Sequence, residues 1–335
     1  MQHADQIFEE IKNANNILLH CHPKPDPDSV GSALGMYFML QALGKTATVI
    51  SGDSDIMNDL SLPGVNKIQK KSFFDIDPTQ FDLFIILDSA GKEMVSKKGE
   101  VVFPKTMKTI VIDHHISNKA FGDINLINPS AVSTTQILYD LCKEWDISFS
   151  KEIATNLLAG MYADSGAFSY ENSSQKMFVA VAELVQHCPN FHTLFTQIRE
   201  GGTTKDLLRI KGLMFDSIEH PFIGVALSAV SYDQLQQAGV DSVYATSRGI
   251  AAQLKQVPEW DIGITLLEKS PDNVSMSIRA KEKDGYDVAK TAALLGGGGH
   301  RLASGALLET SLEEAKKQVI DALKATHPHL QEALE

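Results

Sequence analysis

Residues 109–115 read Thr-Ile-Val-Ile-Asp-His-His, an apolar run that ends on one carboxylate and two imidazoles. A short run of β-branched residues between polar segments predicts a buried strand. Residues 16–20 (NILLH), 46–50 (TATVI) and 81–88 (FDLFIILD) have the same character. Amphipathic stretches separate these runs, which is typical of a parallel sheet covered by helices. The sequence therefore predicts an α/β first domain whose parallel sheet has helices on both faces.

Three helices are predicted in this first domain. The first covers residues 29–43, with Ser29 as its N-cap and Gly44 at its C-terminal end. The other two cover residues 134–145 and 151–162, where apolar residues recur at helical spacing.

The pattern changes after a stretch without sheet signals. Residues 189–220 are predicted to form a helical linker, with Gly201 and Gly202 as a break inside it. Beyond the linker, strands are predicted at residues 223–230, 262–268 and 274–279, and helices at residues 286–295 and 311–323. The predicted organisation is a first domain at residues 1–188, the linker, and a smaller α/β domain at residues 221–330, with a cleft between the two domains.

Composition limits the classes of protein that fit. The chain has 335 residues, of which 43% are hydrophobic and 21% charged, as expected for two globular domains. Lys and Arg number 30 against 42 Asp and Glu, so the net charge of -12 disfavours a long nucleic-acid groove. Cys21, Cys142 and Cys188 fit a reducing compartment better than a disulfide framework. The N-terminus lacks a signal-peptide pattern and no apolar run approaches a membrane span, which predicts a cytoplasmic protein without a membrane partner.

Acidic residues and imidazoles follow three of the predicted strands. The first strand leads into HPKPDPD at residues 22–28, the third ends on Asp88, and the fourth ends on Asp113, followed by His114 and His115. Ligands of open parallel sheets bind at the carboxyl ends of the strands. Like charges gathered there repel unless a cation neutralises them. An oxygen-rich set with some imidazole favours Mn²⁺ or Mg²⁺, and the absence of cysteine from the set disfavours a structural zinc.

Each of these residues also has a plain structural explanation. Asp88 alone is most often a turn former, and Asp164 could simply terminate a helix. The pair of His114 and His115 is commonly a surface feature. The metal prediction therefore depends on the coincidence of several strand ends at one edge of a sheet.

The second domain contains a separate candidate in residues 296–301, GGGGHR. Consecutive glycines let backbone N–H groups approach an anion closely, and Arg279 ends a predicted strand upstream. Residues 279–301 hold five Lys or Arg against three Asp or Glu in an otherwise acidic chain. The alternatives are a flexible turn for the glycines and surface salt bridges for Arg279 and Arg301.

Taken in order along the chain, these motifs resemble those of the DHH phosphoesterase family, whose triplet stands here at residues 113–115. Residues 22–32 (HPKPDPDSVGS), 88–89 (DS) and 164–166 (DSG) are similar to other motifs of that family. The second domain resembles the family's DHHA1 module in residues 277–279 (SIR) and 297–305 (GGGHRLASG). Two positions depart from the pattern: Ala280 stands where relatives often have a second Ser or Thr, and Ser165 where Thr is commoner.

The resemblance implies two Mn²⁺ ions, with Mg²⁺ or another divalent cation as the alternative, and Asp88 as their bridge. The implied metal ligands are His22, Asp26, Asp28, Asp88, His114 and Asp164. Catalytic roles are implied for Asp88, Asp113 and His115, and His115 is expected to donate to the substrate with an ordinary pKa of about 6.5. The implied contacts to a phosphate or nucleotide are Arg279, Gly297, Gly298, Gly299, His300, Arg301 and Ser304.

The combination is similar to the stand-alone nanoRNase subgroup of that family. It implies a metal-dependent hydrolase of short oligoribonucleotides, dinucleotides such as linear diadenylate, and phosphoadenosine phosphate. A cyclic di-AMP phosphodiesterase stays open as an alternative, as does a nucleotide- or RNA-binding module without turnover. The expected partner is a short RNA or dinucleotide rather than a long nucleic acid, and the sequence leaves the oligomeric state, including a homodimer, open.

Overall fold

Six strands form the sheet in the first half of the chain. The computed structural model describes residues 3–53, 61–201, 203–242, 245–247 and 249–331. The strands are β1 Ile17–His20, β2 Ala47–Ile50, β3 Ile68–Gln69, β4 Leu83–Leu87, β5 Lys108–Asp113 and β6 Ile124–Ile127. The four predicted strands are present, and the short edge strands β3 and β6 were not predicted.

The order of this sheet places a switch point at its centre. The order is β3-β2-β1-β4-β5-β6, and all neighbouring pairs are parallel. β1 and β4 are adjacent although the chain passes through β2 and β3 between them. Connections on the two sides of such a pair run in opposite directions, which leaves a crevice at the carboxyl ends of the strands.

The two faces of the sheet are covered differently. The helices of this part are α1 Ala4–Asn13, α2 Pro27–Ala42, α3 Thr134–Glu144, α4 Lys151–Asp164, α5 Gln175–His187 and α6 Phe191–Glu200. They share one apolar core with Leu19 and Ile85 of the sheet. On the opposite face, Phe84 packs with Phe73 and Val101, which lie on a 3-10 helix and a loop. Among the described residues, the predicted helices on both faces are therefore α-helices on one face and short 3-10 helices on the other.

The N-terminus of α2 differs from the prediction. Asp26, rather than Ser29, is the N-cap, and its side chain accepts hydrogen bonds from the backbone N–H groups of Asp28 and Ser29. Pro27 occupies the first turn, where its missing N–H costs no hydrogen bond. The predicted end is confirmed, because Gly44 follows the helix with a left-handed φ of 73°.

The chain divides into two compact units, Met1–Gly202 and Thr203–Glu335. The second unit contains helices α7 Lys205–Asp216, α8 Tyr232–Gln237, α9 Ile250–Leu254, α10 Val288–Leu294 and α11 Leu312–Thr326. Its strands are β7 Ile218–Glu219, β8 Val225–Val230, β9 Ile262–Ser270, β10 Asn273–Ala280, β11 Gly298–His300 and β12 Ala303–Leu308, in the order β11-β12-β10-β9-β8-β7. β8 and β9 are parallel, and the other neighbouring pairs are antiparallel.

The segment predicted as a linker contains α6 and α7. Leu194 of α6 belongs to the core of the first unit, whereas Ile210 and Met214 of α7 pack with Val230 of the second. Gly202, half of the predicted break, lies outside the described residues.

Candidate metal centre

Side chains from three strand ends and one helix end meet at the switch point. His22 and Asp26 follow β1, Asp88 follows β4, and His114 follows the last residue of β5. Asp164 is the last residue of α4. The six predicted ligands and His115 form three groups, and within each group the ligand atoms lie within 4.8 Å of one another: Asp88 with His114 and His115, His22 with Asp26 and Asp88, and Asp28 with His114 and Asp164.

Asp88 lies between two of these groups. Its Oδ2 is 3.5 Å from Nε2 of His22, and its Oδ1 is 3.7 Å from Nε2 of His114. His22 Nε2 is also 3.7 Å from Oδ2 of Asp26, and His114 Nε2 is 3.3 Å from Oδ2 of Asp164. One oxygen of this carboxylate therefore faces His22 and the other faces His114.

The backbone at Asp88 is unusual for a residue with a side chain. Its φ is 52°, in the left-handed region that Asp and Asn tolerate better than most residues. Its N–H still donates to the carbonyl of Ile112 in β5 (3.1 Å), so the turn stays attached to the sheet. This turn holds the almost fully buried carboxylate (2% exposed) at the strand end.

The carboxylates of the cluster raise one another's pKa values. Burial and the nearby charges of Asp28 and Asp88 raise the pKa of Asp164 to about 10. Burial, with the charges of Asp88 and Asp26, also raises the pKa of Asp28 well above its usual value. Burial disfavours protonation of His22, but the nearby carboxylates of Asp26 and Asp88 prevail and raise its pKa to about 10. Groups that repel one another in this way bind protons unless a divalent cation replaces those protons.

The unpaired imidazole nitrogen supports the same conclusion. Nε2 of His114 is buried and has no hydrogen-bond partner among the described residues. Buried polar atoms are normally paired, so an orphaned imidazole nitrogen beside two carboxylates fits a metal ligand. Imidazole and carboxylate donors without thiolate suit Mn²⁺ or Mg²⁺, and the residues present therefore fit such ions.

Asp28 is oriented by residues that the sequence reasoning missed. The N-terminus of α3 donates to it: Thr134 N to Oδ2 (2.8 Å) and Thr135 N to Oδ1 (3.0 Å). Oγ1 of Thr135 donates to the same Oδ1 (2.8 Å). Gly160 of α4 leaves the necessary space, because a Cβ there would lie 2.2 Å from Oδ1 of Asp28. The available signal was Ser-Thr-Thr at residues 133–135, since such residues favour helix N-termini.

His115 lies beside the predicted metal ligands Asp88 and His114 and is held by Asp113. Its Nδ1 donates to Oδ1 of Asp113 (2.8 Å), and Nδ2 of Asn118 donates to Oδ2 of Asp113 (2.6 Å). The hydrogen bond to Asp113 raises the pKa of His115 to about 9, against the effect of burial and with help from the charge of Asp88. Without metal, the pKa of His115 therefore lies above the ordinary value of about 6.5 that suits the expected role.

Most of the site lies in a segment that matches a known protein family. Residues 16–161 match the family described as DHH family, N-terminal domain. This part of the chain is a DHH-family domain. The match includes His22, Asp88 and His115 but ends before Asp164, which the structure nevertheless brings to His114.

Two relatives of the whole chain carry the same name, bifunctional oligoribonuclease and PAP phosphatase NrnA. The protein from Bacillus subtilis is 24% identical and covers 94% of this chain and 96% of its own length. The protein from Thermus thermophilus is 28% identical and covers 92% of this chain and 89% of its own length. An exopolyphosphatase-related protein from Bacteroides fragilis shares the fold, with a TM-score of 0.86, 23% identity and coverage of 98% and 97% of the two chains.

The described residues contain no helix that is long and apolar enough to cross a membrane. Cys21, Cys142 and Cys188 are free and buried.

Outside the DHH-family domain, the glycine segment of the second unit forms a hairpin. β11 pairs with β12, with Gly298 opposite Gly305 and Gly299 opposite Ser304. A Cβ at Gly297 would lie 2.2 Å from the carbonyl oxygen of Gly305, so close strand packing accounts for this glycine. At Gly298 the space is open and the residue is exposed, which leaves room for an anion near its backbone.

The two arginines of the second unit have different surroundings. Arg279 on β10 is partly buried, and its Nη1 donates to the carbonyls of Ile278 (2.8 Å) and Ser304 (3.2 Å). Arg301 is exposed and forms an ion pair with Glu282. The salt-bridge alternative therefore holds for Arg301. The hydrogen bonds of Arg279 hold its side chain beside the hairpin. Contacts of Arg279, Arg301, His300 and Ser304 with a substrate stay predictions.

The metal-free DHH-family domain should lose stability as pH rises. His22, with a pKa raised from 6.5 to about 10, and Asp164, with a pKa raised from 3.8 to about 10, both bind more protons when folded. Their contributions are complete below the unfolded pKa values and disappear as pH rises through about 10. Urea midpoints in EDTA should therefore fall between pH 6.5 and pH 10, with a weaker slope in Mn²⁺. Equal slopes with and without Mn²⁺ would contradict this account.

Proposed function

We propose that the protein is a Mn²⁺-dependent phosphoesterase that hydrolyses dinucleotides, very short oligoribonucleotides and phosphoadenosine phosphate. The observation that carries the proposal is the position of Asp88 between two clusters of carboxylate and imidazole donors. The names of the relatives from Bacillus subtilis and Thermus thermophilus support the substrate classes.

Two divalent ions are proposed at this site. One would be held by His22, Asp26 and Asp88, and the other by Asp28, His114, Asp164 and Asp88. Bound as a pair, such ions lower the pKa of water and offset negative charge on a phosphoryl group. The protein's part is to hold these ligands in a fixed, buried arrangement, as the hydrogen bonds to Asp28 from α3 do.

The proposed catalytic acid is His115. Its hydrogen bond to Asp113 favours the protonated imidazole and commits Nδ1 to that carboxylate. This leaves Nε2–H to donate to a phosphoryl oxygen or to the leaving oxygen. Asp113 is a positioning residue in this proposal, since Asn118 and His115 occupy both of its oxygens.

Arg279 is proposed to bind the substrate phosphate, with the exposed backbone of Gly298 and with His300. The change Arg279→Ala should raise KM for linear diadenylate by about 10-fold with little change in kcat, because it removes uniform binding of an anion. Steady-state kinetics of the two proteins measure the split. An unchanged KM for Arg279→Ala would refute the assignment.

The proposed function is tested by product analysis. Purified protein with Mn²⁺ should release AMP from linear diadenylate, and side-by-side rates on phosphoadenosine phosphate, cyclic di-AMP and a longer oligoribonucleotide rank the substrates. Faster hydrolysis of cyclic di-AMP than of the linear dinucleotide would favour the cyclic phosphodiesterase alternative. A binding module without turnover would release nothing from any of the four, and Asp88→Ala and Asp113→Ala would bind diadenylate as well as the natural protein does.

A further inference from the structure

The loop that follows Asp164 has an unusual backbone. Gly166, Ala167 and Phe168 all have left-handed φ values, of 57°, 57° and 66°. Two of the three carry side chains, for which this conformation is unfavourable. Backbone of this kind persists where the surroundings enforce it, often beside functional sites.

One side chain of the loop anchors it to the protein. The ring of Phe168 contacts Tyr162 (centroids 5.3 Å apart), Phe195 (5.6 Å) and Phe178 (5.8 Å). Tyr162 lies on α4 two residues before the proposed ligand Asp164. The loop is therefore fixed relative to the helix end that supplies the metal ligand.

Tyr170 of the same loop lies in a different environment from Phe168. It is 61% exposed, and its ring has no ring partner among the described residues. A Cβ on Gly166 would lie 2.3 to 2.6 Å from three adjacent ring carbons, so the ring rests directly on the glycine backbone. The N–H of Tyr170 donates to the carbonyl of Ser165 (2.9 Å), which closes the loop below the ring.

An aromatic ring that is backed by main chain on one side and exposed elsewhere is suited to stacking. It loses little freedom when a flat partner covers it, and it can accept any nucleobase, because every base has a π-face. Gly166, on which the ring rests, is only two residues from Asp164. A base of a nucleotide whose phosphate lies at the metal centre would be a near neighbour.

We propose that Tyr170 is the stacking platform for a nucleobase of the substrate. The inference rests on the proposed function and adds a source of specificity to it. The ring would bind the base of a nucleotide whichever base it is. The enzyme would thus distinguish nucleotides from phosphate esters that lack a base, while the metal ligands treat both alike.

The test measures binding rather than turnover. Dissociation constants of AMP and of ribose 5-phosphate are measured by calorimetry with Mn²⁺ present, for the natural protein, Tyr170→Phe and Tyr170→Ala. Tyr170→Ala should reduce the preference for AMP over ribose 5-phosphate by about 10-fold, as expected for one lost base stack. Tyr170→Phe should keep the preference, since the ring remains. Phe74→Ala is the control, because Phe74 is a similarly exposed aromatic residue (46%) on a different segment.

The outcomes separate this inference from the proposed function. Equal weakening of both ligands by Tyr170→Ala, or an unchanged preference, would overturn the stacking role, as would a natural protein that prefers neither ligand or binds neither. If the natural protein prefers AMP through Tyr170 but releases no AMP from diadenylate, the stacking role stands and the proposed function fails. Melting temperatures of all variants confirm that they are folded.

Discussion

The change Asp88→Asn should reduce hydrolysis of linear diadenylate by about 10³-fold or more, because one carboxylate faces both metal clusters. Its Oδ2 lies toward His22 and its Oδ1 toward His114, so the loss of one charge weakens both proposed ion sites. Asn preserves the shape of the side chain and tolerates the left-handed backbone at φ 52°, which Ala would adopt with more strain. The rate is measured at several Mn²⁺ concentrations, since a defect in metal binding shifts the concentration that gives half-maximal activity.

The same change should also reduce the stabilisation that metal provides. Asp88 faces both proposed ion sites, and a ligand that binds only the folded protein stabilises it. Asp88→Asn should therefore gain less in melting temperature from added Mn²⁺ than the natural protein does. A structural role alone predicts the same gain from Mn²⁺ in both proteins.

Asp146→Asn provides a matched control. Asp146 is exposed and has a φ of 53°, so it shares the substitution and the backbone conformation with Asp88 but not the cluster. It should leave both the rate and the response to Mn²⁺ unchanged. If Asp88→Asn behaved like Asp146→Asn, the bridging assignment would fall.

The meeting of His22, Asp88 and His114 could be predicted from the sequence. Each follows an apolar run with the character of a buried parallel strand, and parallel strands bring their carboxyl ends to one edge. That inference needs only the element type and the direction of the strands, which periodicity supplies. The position of Asp164 could not be predicted in this way, because it depends on how α4 packs against the neighbouring helices. Only the motif resemblance indicated it.

Other features depended on side-chain geometry that no local pattern specifies. Ser29 and Asp26 are both residue types that favour the N-cap position. The helix begins after Asp26 because Pro27 fits its first turn. The pKa of His115 depends on a hydrogen bond to Asp113, and the geometry of that bond depends on the tertiary structure. The glycine segment at residues 296–299 has the composition of a loop, yet part of it pairs with β12, because glycine permits a closer approach than other residues.

Gly160 shows how a residue without functional groups controls the site. A Cβ at this position would lie 2.2 Å from Oδ1 of Asp28 and 2.4 Å from Oγ1 of Thr135, distances that real contacts do not reach. The helix α4 or the carboxylate must move, and Asp28 cannot move without losing its hydrogen bonds from α3. Gly160→Ala should therefore destabilise the protein by about 2 kcal/mol, the usual cost of overpacking, and reduce diadenylate hydrolysis by about 100-fold.

The expected sign of the stability change distinguishes Gly160 from an ordinary glycine inside a helix. Replacement of glycine by alanine inside a helix ordinarily stabilises a protein by about 0.5 to 1 kcal/mol. Gly212 of α7 is exposed, and a Cβ added there would have no atom within 4 Å, so Gly212→Ala should show that ordinary gain. Urea unfolding of both variants measures the two free energies. If Gly160→Ala were as stable and as active as Gly212→Ala, the carboxylate of Asp28 would not need the space that the glycine leaves, and its fixed position could not be part of the metal centre.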